Sequence, residues 1–349
     1  MPFDTSELGV PVEIGQIGKE LKKLWEADGA TTTRASLINF AVYCEGLEAG
    51  ARNNEFISEF TRDHACRALL IIAEPNAAET KVQAWINARC HLSRAGAKQV
   101  CCEQISFLFE GKARKLIPNI VFSNLDSDLP LVLWWQAKFP NPIDSHLLAW
   151  VDRLVFDSQK WAQPVKQFTL LLNWLAESQS RLAMCDLNWT RSLHLRQALA
   201  QMFDHPENRR ILDGMTMVEI SHGTEFRSTA LLLVGWFAAQ LKLAFTSDEE
   251  NRVVLATTEG REILFDLKCE GVRSIGCCRI TSPHGCVEVA RDASGDFFKV
   301  VVHLADGRAY HHLLPAGNNR STTLLTEELA LGGRHRVYIK ALAVAKELL

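Results

Sequence analysis

Short catalytic and cofactor signatures are missing from this 349-residue sequence. There is no G-x-G-x-x-G, no G-x-x-x-x-G-K-[ST], no G-x-S-x-G and no H-E-x-x-H. No loop is therefore announced that would cradle a dinucleotide or a phosphate, present a nucleophilic serine or hold a hydrolytic zinc. Ten cysteines are present, at 44, 66, 90, 101, 102, 185, 269, 277, 278 and 286, but no C-x-x-C, so neither a zinc ribbon nor a thioredoxin-type pair is signalled. A basic excess is absent too. With 38 Lys and Arg against 41 Asp and Glu, the formal charge is -3, which argues against a nucleic-acid partner. The longest apolar runs, such as "LLLVGWFAAQL" (231–241), fall well short of the roughly 20 residues a membrane span needs. The N-terminus has no charged segment leading into an apolar one, so it does not read as a secretory signal. These absences together predict a soluble, cytoplasmic protein with no cofactor, no membrane contact and mostly reduced, buried cysteines.

What is present is ordinary globular composition, with 47% apolar and 23% charged residues. The chain is long for one core, so two domains are expected. Apolar residues 14, 17, 21, 24 and 25 recur at helical spacing. "ASLINFAVYC" (35–44) reads as a strand, "NEFISEF" as a helix and "CRALLIIAE" (66–74) as a second buried strand. Strand, helix and strand make a βαβ unit with a parallel pairing. "VQAWINARCHL" and "KQVCCEQISFLFE", with Gly96 between them, predict an edge hairpin. "RKLIPNIVFSNL" predicts a helix and "LPLVLWW" a further central strand. A helix and strand follow in "IDSHLLAWVDRLVFDS", then an amphipathic helix in "QPVKQFTLLLNWLAESQS".

The texture changes near residue 180. "NWTRSLHLRQALAQMFDHP" predicts a helix with Asn188 or Thr190 as its N-cap, and "STALLLVGWFAAQLKL" a helix apolar on every side. Residues 252–314 read as an antiparallel meander broken by turn signals. Helices close the chain, the first capped by Ser321 or a nearby Thr. The fold class expected is an α/β domain over 1–180, with a mostly parallel or mixed sheet flanked by helices, and an α+β domain over 181–349 built on the meander.

Candidate sites are few. Trp134 and Trp135 are adjacent on a strand, so their rings face opposite ways and at most one can fill a one-sided core. Arg67 opens a buried strand beside His64. It is either ion-paired or a ligand for phosphate or carboxylate. Asp186, Asn188, Trp189 and Arg191 crowd a helix start. They form either a capped, packed turn or a face for a partner or an anion. Cys277, Cys278, His284 and Cys286 lie close together but lack a second ligand pair at zinc spacing.

Taken in order, "TTRASLINFAVY", "TRDHACRALLIIAE", "LPLVLWWQAKFP", "DLNWTRSLHLRQALAQMFD" and "RVYIKALAVA" resemble the glucose-6-phosphate dehydrogenase assembly protein family, OpcA. The resemblance spans nearly the whole chain. It implies a non-enzymatic role in the oxidative pentose phosphate pathway, assembling or allosterically activating glucose-6-phosphate dehydrogenase, and it brings no catalytic residue with it. One tryptophan of the pair would then pack inside while the other anchors the partner. The alternative is an enzyme or sensor acting on a sugar phosphate, with His64, Arg67 and Arg191 facing the phosphate.

Overall fold

The computed structural model describes residues 4–27, 32–34, 36–92, 99–178, 182–249, 251–272, 274–333 and 335–349. The chain divides into two compact units. One comprises 1–156 with 169–184, the other 157–168 with 185–349.

In chain order the first elements are β1 (Val10–Val12), α1 (Ile17–Ala27), β2 (Thr32–Arg34), β3 (Ile38–Glu45), α2 (Leu47–Phe60), β4 (Cys66–Glu74), β5 (Lys81–Leu92), β6 (Gln99–Glu110), α3 (Ile117–Phe122), β7 (Leu131–Trp135), α4 (Ser145–Leu148), β8 (Arg153–Phe156), α5 (Pro164–Ser178) and β9 (Ala183–Asp186). The strands form one sheet in the order β1-β5-β6-β4-β3-β7-β8-β9, with β2 beside β6. β6, β4, β3, β7 and β8 run parallel to one another, while β5 is antiparallel to both β1 and β6. The βαβ unit β3-α2-β4 is as the apolar runs predict. β3 and β4 read as continuous apolar stretches because both their faces are covered, the usual condition of a parallel strand.

The expected hairpin β5–β6 pairs from Lys81 opposite Glu110 to Leu92 opposite Gln99, and Gly96 lies outside the described residues. It is not at the edge, because β1 covers β5 and β4 covers β6. Cys90 and Cys101, partners across this pair, form a disulfide; among the described residues the other eight cysteines form none, as the expectation of mostly reduced thiols has it. Chain order reverses between β3 and β7. At such a reversal, open α/β sheets leave a crevice at the carboxyl ends of the strands.

The remaining elements are α6 (Leu187–Thr190), α7 (Leu193–Met202), α8 (Pro206–Asp213), β10 (Met217–His222), α9 (Arg227–Leu241), β11 (Ala244–Glu249), β12 (Arg252–Ala256), β13 (Glu262–Cys269), β14 (Ile275–Ser282), β15 (Gly285–Arg291), β16 (Phe297–Leu304), β17 (Ala309–Pro315), α10 (Ser321–Leu331) and α11 (Arg336–Leu348). The eight-stranded sheet runs β11-β12-β13-β10-β14-β15-β16-β17. The meander is antiparallel as expected, except where β10 enters between β13 and β14 and pairs parallel to β13. Alternate residues of the meander, such as Ile280, Val287, Val289, Val300 and Val302, point to one core. α9 fills that core. Ala230, Leu231, Leu232, Leu233 and Val234 are all buried, which is why the helix has no polar stripe.

Two expected caps are corrected. The helix predicted from Asn188 breaks into α6 and α7, and the cap of α6 is Asp186, whose carboxylate accepts from Asn188 N. Ser321 is the first residue of α10, not its cap. Arg320 stands at the cap, with no side-chain bond.

Candidate functional site

The tryptophan pair lies on β7 in the first unit, and the structure buries both rings, at 5% exposure for Trp134 and 4% for Trp135. The expectation that one of them faces outward is therefore corrected. The sheet has two covered faces, so opposite orientations both lead to core. Trp134 meets the edge of Phe56 at 4.9 Å, on the α2 side, and Phe56 stacks on Phe60. Phe60 in turn stacks on the half-buried His64 ring at 4.3 Å, where burial pulls the imidazole below its ordinary pKa. Trp135 stacks on Tyr43 at 3.8 Å and on Phe139 at 5.6 Å. Neither indole N–H finds an acceptor among the described residues.

Arg67 takes the ion-paired reading. Its guanidinium gives Glu103 Oε2 bonds of 2.9 and 2.7 Å and Asn124 O a third of 3.1 Å. Glu103 also accepts from Trp25 Nε1 at 2.7 Å. A buried guanidinium is tolerated because its donors are used.

The crevice between β3 and β7 is where a doubly wound sheet would hold a dinucleotide, with the phosphate on the N-terminus of the following helix. Here that helix is α2. Its entry residue Gly46 sits at φ +93°, and the N–H of Leu47 donates to the Glu74 carboxylate at 2.8 Å. The Glu74 carboxylate thus accepts at a helix N-terminus, the kind of place where such folds bind a phosphate. Beside it, Asn53 and Gln136 exchange two amide bonds of 2.8 Å each. Gly50 brings α2 against β4 so closely that a Cβ would lie 2.4 Å from Ile72 Cδ1.

In the second unit, Asp186, Asn188, Trp189 and Arg191 belong to one buried polar network. Asp186 Oδ1 accepts from Ser158 N and Asn188 N at 3.1 and 3.0 Å. Its Oδ2 accepts from Ser158 Oγ at 2.6 Å and Tyr338 O–H at 3.0 Å. Burial pushes the Asp186 carboxyl up to about 6, a rise the Ser158 bonds oppose. Asn188 donates to Ser158 Oγ and Ser228 Oγ and accepts from Thr229. Arg191 is held by both oxygens of Asp157, at 2.6 and 2.7 Å. The Arg196 guanidinium lies 3.6 Å over the Trp189 ring and bonds Ser192 Oγ and Trp189 O.

Sequence reasoning found this stretch but missed its partners. Thr190 Oγ1 donates to Glu328 Oε2 at 2.8 Å, and Glu328 Oε1 meets His335 Nε2. Burial raises the Glu328 carboxyl, but bonds from His335, Thr190 and Cys185 outweigh it and hold the group below its ordinary value. Among the described residues, the ligand atoms of Cys277, Cys278, His284 and Cys286 do not converge as a metal site would need, whereas those of Cys185, Glu328 and His335 lie within 4.8 Å of one another.

Fold and site together define a two-unit α/β protein in which the Glu74 carboxylate is hydrogen-bonded at the N-terminus of α2. Two family models cover most of it. Residues 58–173 match the glucose-6-phosphate dehydrogenase subunit N-terminal domain, and 182–342 match the corresponding C-terminal domain. The chain belongs to this OpcA family of glucose-6-phosphate dehydrogenase assembly, which fits the pentose phosphate pathway. It is similar to a protein of Synechocystis sp. named "Putative OxPP cycle protein OpcA", at 26% identity over 164 residues. The match covers 46% of this chain and 34% of that relative, so the chain spans about a third of the relative's length. Among solved structures, the aldose-aldose oxidoreductase of Caulobacter crescentus shares 11% identity at TM-score 0.47, covering 89% of this chain and 95% of that one. An oxidoreductase of Bacillus cereus shares 8% at TM-score 0.49, again over 89% and 95%. Neither likeness bears on activity. Among the described residues no helix is long and apolar enough to cross a membrane.

Proposed function

We propose that this chain is a cytoplasmic, non-enzymatic assembly factor and allosteric activator of glucose-6-phosphate dehydrogenase. The observation that carries the non-enzymatic part is the Glu74 carboxylate on the N-terminus of α2. An anion already held there competes with any nucleotide phosphate for the same N–H and the same positive helix end. The family match supports glucose-6-phosphate dehydrogenase as the partner. The ion pairs of Arg67 with Glu103 and of Arg191 with Asp157 weigh against a sugar-phosphate site, since both guanidinium charges are already paired. In this reading Trp134, Trp135, His64, Arg67, Asp186, Asn188, Trp189 and Arg191 act from beneath the surface, fixing the shape that grips the partner.

An activator must bind one state of the enzyme better than another. A ten- to hundredfold preference needs only about 1.4 to 2.8 kcal/mol of coupling. The test is to titrate the purified chain into the dehydrogenase of the same organism and follow NADPH formation. A lower apparent KM for glucose 6-phosphate is expected, with no turnover by the chain alone. Turnover without the dehydrogenase, or no binding to it at micromolar concentration, would overturn the reading.

A further inference from the structure

We propose that Cys185, Glu328 and His335 form a binding site for a zinc-class divalent cation in the second unit. The three come from separate elements: Cys185 from β9, Glu328 from α10 and His335 from the residue that starts α11. Their ligand atoms all lie within 4.8 Å of one another. Zinc bonds of about 2.0–2.3 Å in a tetrahedron place donors about 3.5 Å apart, so side-chain rotations must open the hydrogen-bonded Glu328 Oε1–His335 Nε2 pair and draw the wider-spaced donors in. Cys185 and Glu328 are fully buried, and the His335 side chain is 12% exposed. A cation would enter past His335, which also leaves the fourth vertex to water.

The donor set selects the metal class. One thiol, one imidazole and one carboxylate suit zinc or cobalt, whereas magnesium and calcium require oxygen throughout. The surroundings supply the outer support that such sites need. Thr190 Oγ1 holds the second carboxylate oxygen at 2.8 Å and so fixes which oxygen faces His335. Arg196 acts electrostatically on Glu328, but its bonds go to Ser192 Oγ and Trp189 O, and Thr190 and His335 meet the two Glu328 oxygens. On binding, the Cys185 thiol releases its proton to solvent and the imidazole binds in its neutral form, so that Cys185 and Glu328 together balance the two positive charges.

Cobalt(II) is the probe, because cysteine thiolate ligation gives it a near-ultraviolet charge-transfer band. The full chain is freed of metal with a chelator and titrated with CoCl2, then competed with ZnCl2. One equivalent is expected to produce the band, and zinc to abolish it. Cys185→Ser is expected to lose the band, and His335→Gln to bind at least tenfold more weakly. No band from the wild-type chain at micromolar cobalt overturns the proposal. So does a band that persists in Cys185→Ser, since it would come from other thiols. Should Cys185→Ser fail to fold, His335→Gln decides alone: unchanged affinity overturns the site, and a tenfold loss supports it.

Discussion

Arg191 and Asp157 form a two-bond pair, with one guanidinium NH2 group on each carboxylate oxygen, and the two side chains are only 6% and 8% exposed. Removing one partner strands a buried charge, which typically costs about 3–5 kcal/mol. Arg191→Ala should therefore lose that much in urea unfolding. Arg191→Lys keeps the charge but loses the planar fork, so a smaller loss is expected. A loss below about 1 kcal/mol for Arg191→Ala would mean that the pair does not hold the turn before α7 in place.

The tryptophans make a second test. With both rings in the core of the first unit, Trp134→Ala and Trp135→Ala should each cost about 3–5 kcal/mol. Phenylalanine should cost much less. It keeps the ring contacts with Phe56 or Tyr43 and removes an indole N–H that has no acceptor among the described residues. If either alanine variant unfolds at the wild-type denaturant midpoint, that ring is not core.

Asp186 predicts a pH dependence. Its folded carboxyl sits at about 6, above the unfolded value, because it is buried. A raised folded pKa means the folded state holds the proton more tightly. The stabilisation is fully present below about pH 4 and is lost as pH rises through 6. About two pKa units correspond to roughly 3 kcal/mol. The Asp186→Asn chain should lack this loss. The stability difference between wild type and variant, measured by denaturant unfolding, should shift by that amount between pH 4 and 6 and stay level from 7 to 8. A constant difference across pH 4 to 6 would sink the assignment.

Much of the first unit was legible from local pattern. The apolar runs of β3 and β4 and the Phe56, Ile57 and Phe60 stripe of α2 carry their own period, and a βαβ unit follows from their spacing. The Trp134–Trp135 anomaly was visible too, but its resolution was not. Alternation says that two neighbours face apart, and it does not say that both faces of the sheet are covered. The strand β10 pairs only with partners well beyond it in sequence, so nothing local distinguishes "MVEISH" from a loop. Asp186 both ends β9 and caps α6, a double role that the helical pattern from Asn188 onward does not show. The Cys185, Glu328 and His335 cluster is assembled by tertiary packing, with no short ligand spacing for a sequence to show.

Gly235 tests the packing of the second unit against helix propensity. It lies inside α9, where glycine costs about 1 kcal/mol relative to alanine, so propensity alone predicts that Gly235→Ala stabilises. The structure predicts the opposite. A Cβ at this position would lie 2.3 Å from Ala341 O and 3.0 Å from its carbonyl carbon, both backbone atoms of α11. No side-chain rotation relieves that contact, so α11 must move off α9, and overpacking of this kind costs about 1–3 kcal/mol. Gly18, in α1, is the control. Among the described residues a Cβ there meets nothing within 4 Å, so Gly18→Ala should be neutral or stabilising by up to about 1 kcal/mol. Urea midpoints that move in opposite directions for the two variants are expected. If Gly235→Ala unfolds at a higher midpoint than wild type, the close approach of α9 and α11 is not what holds glycine at this position.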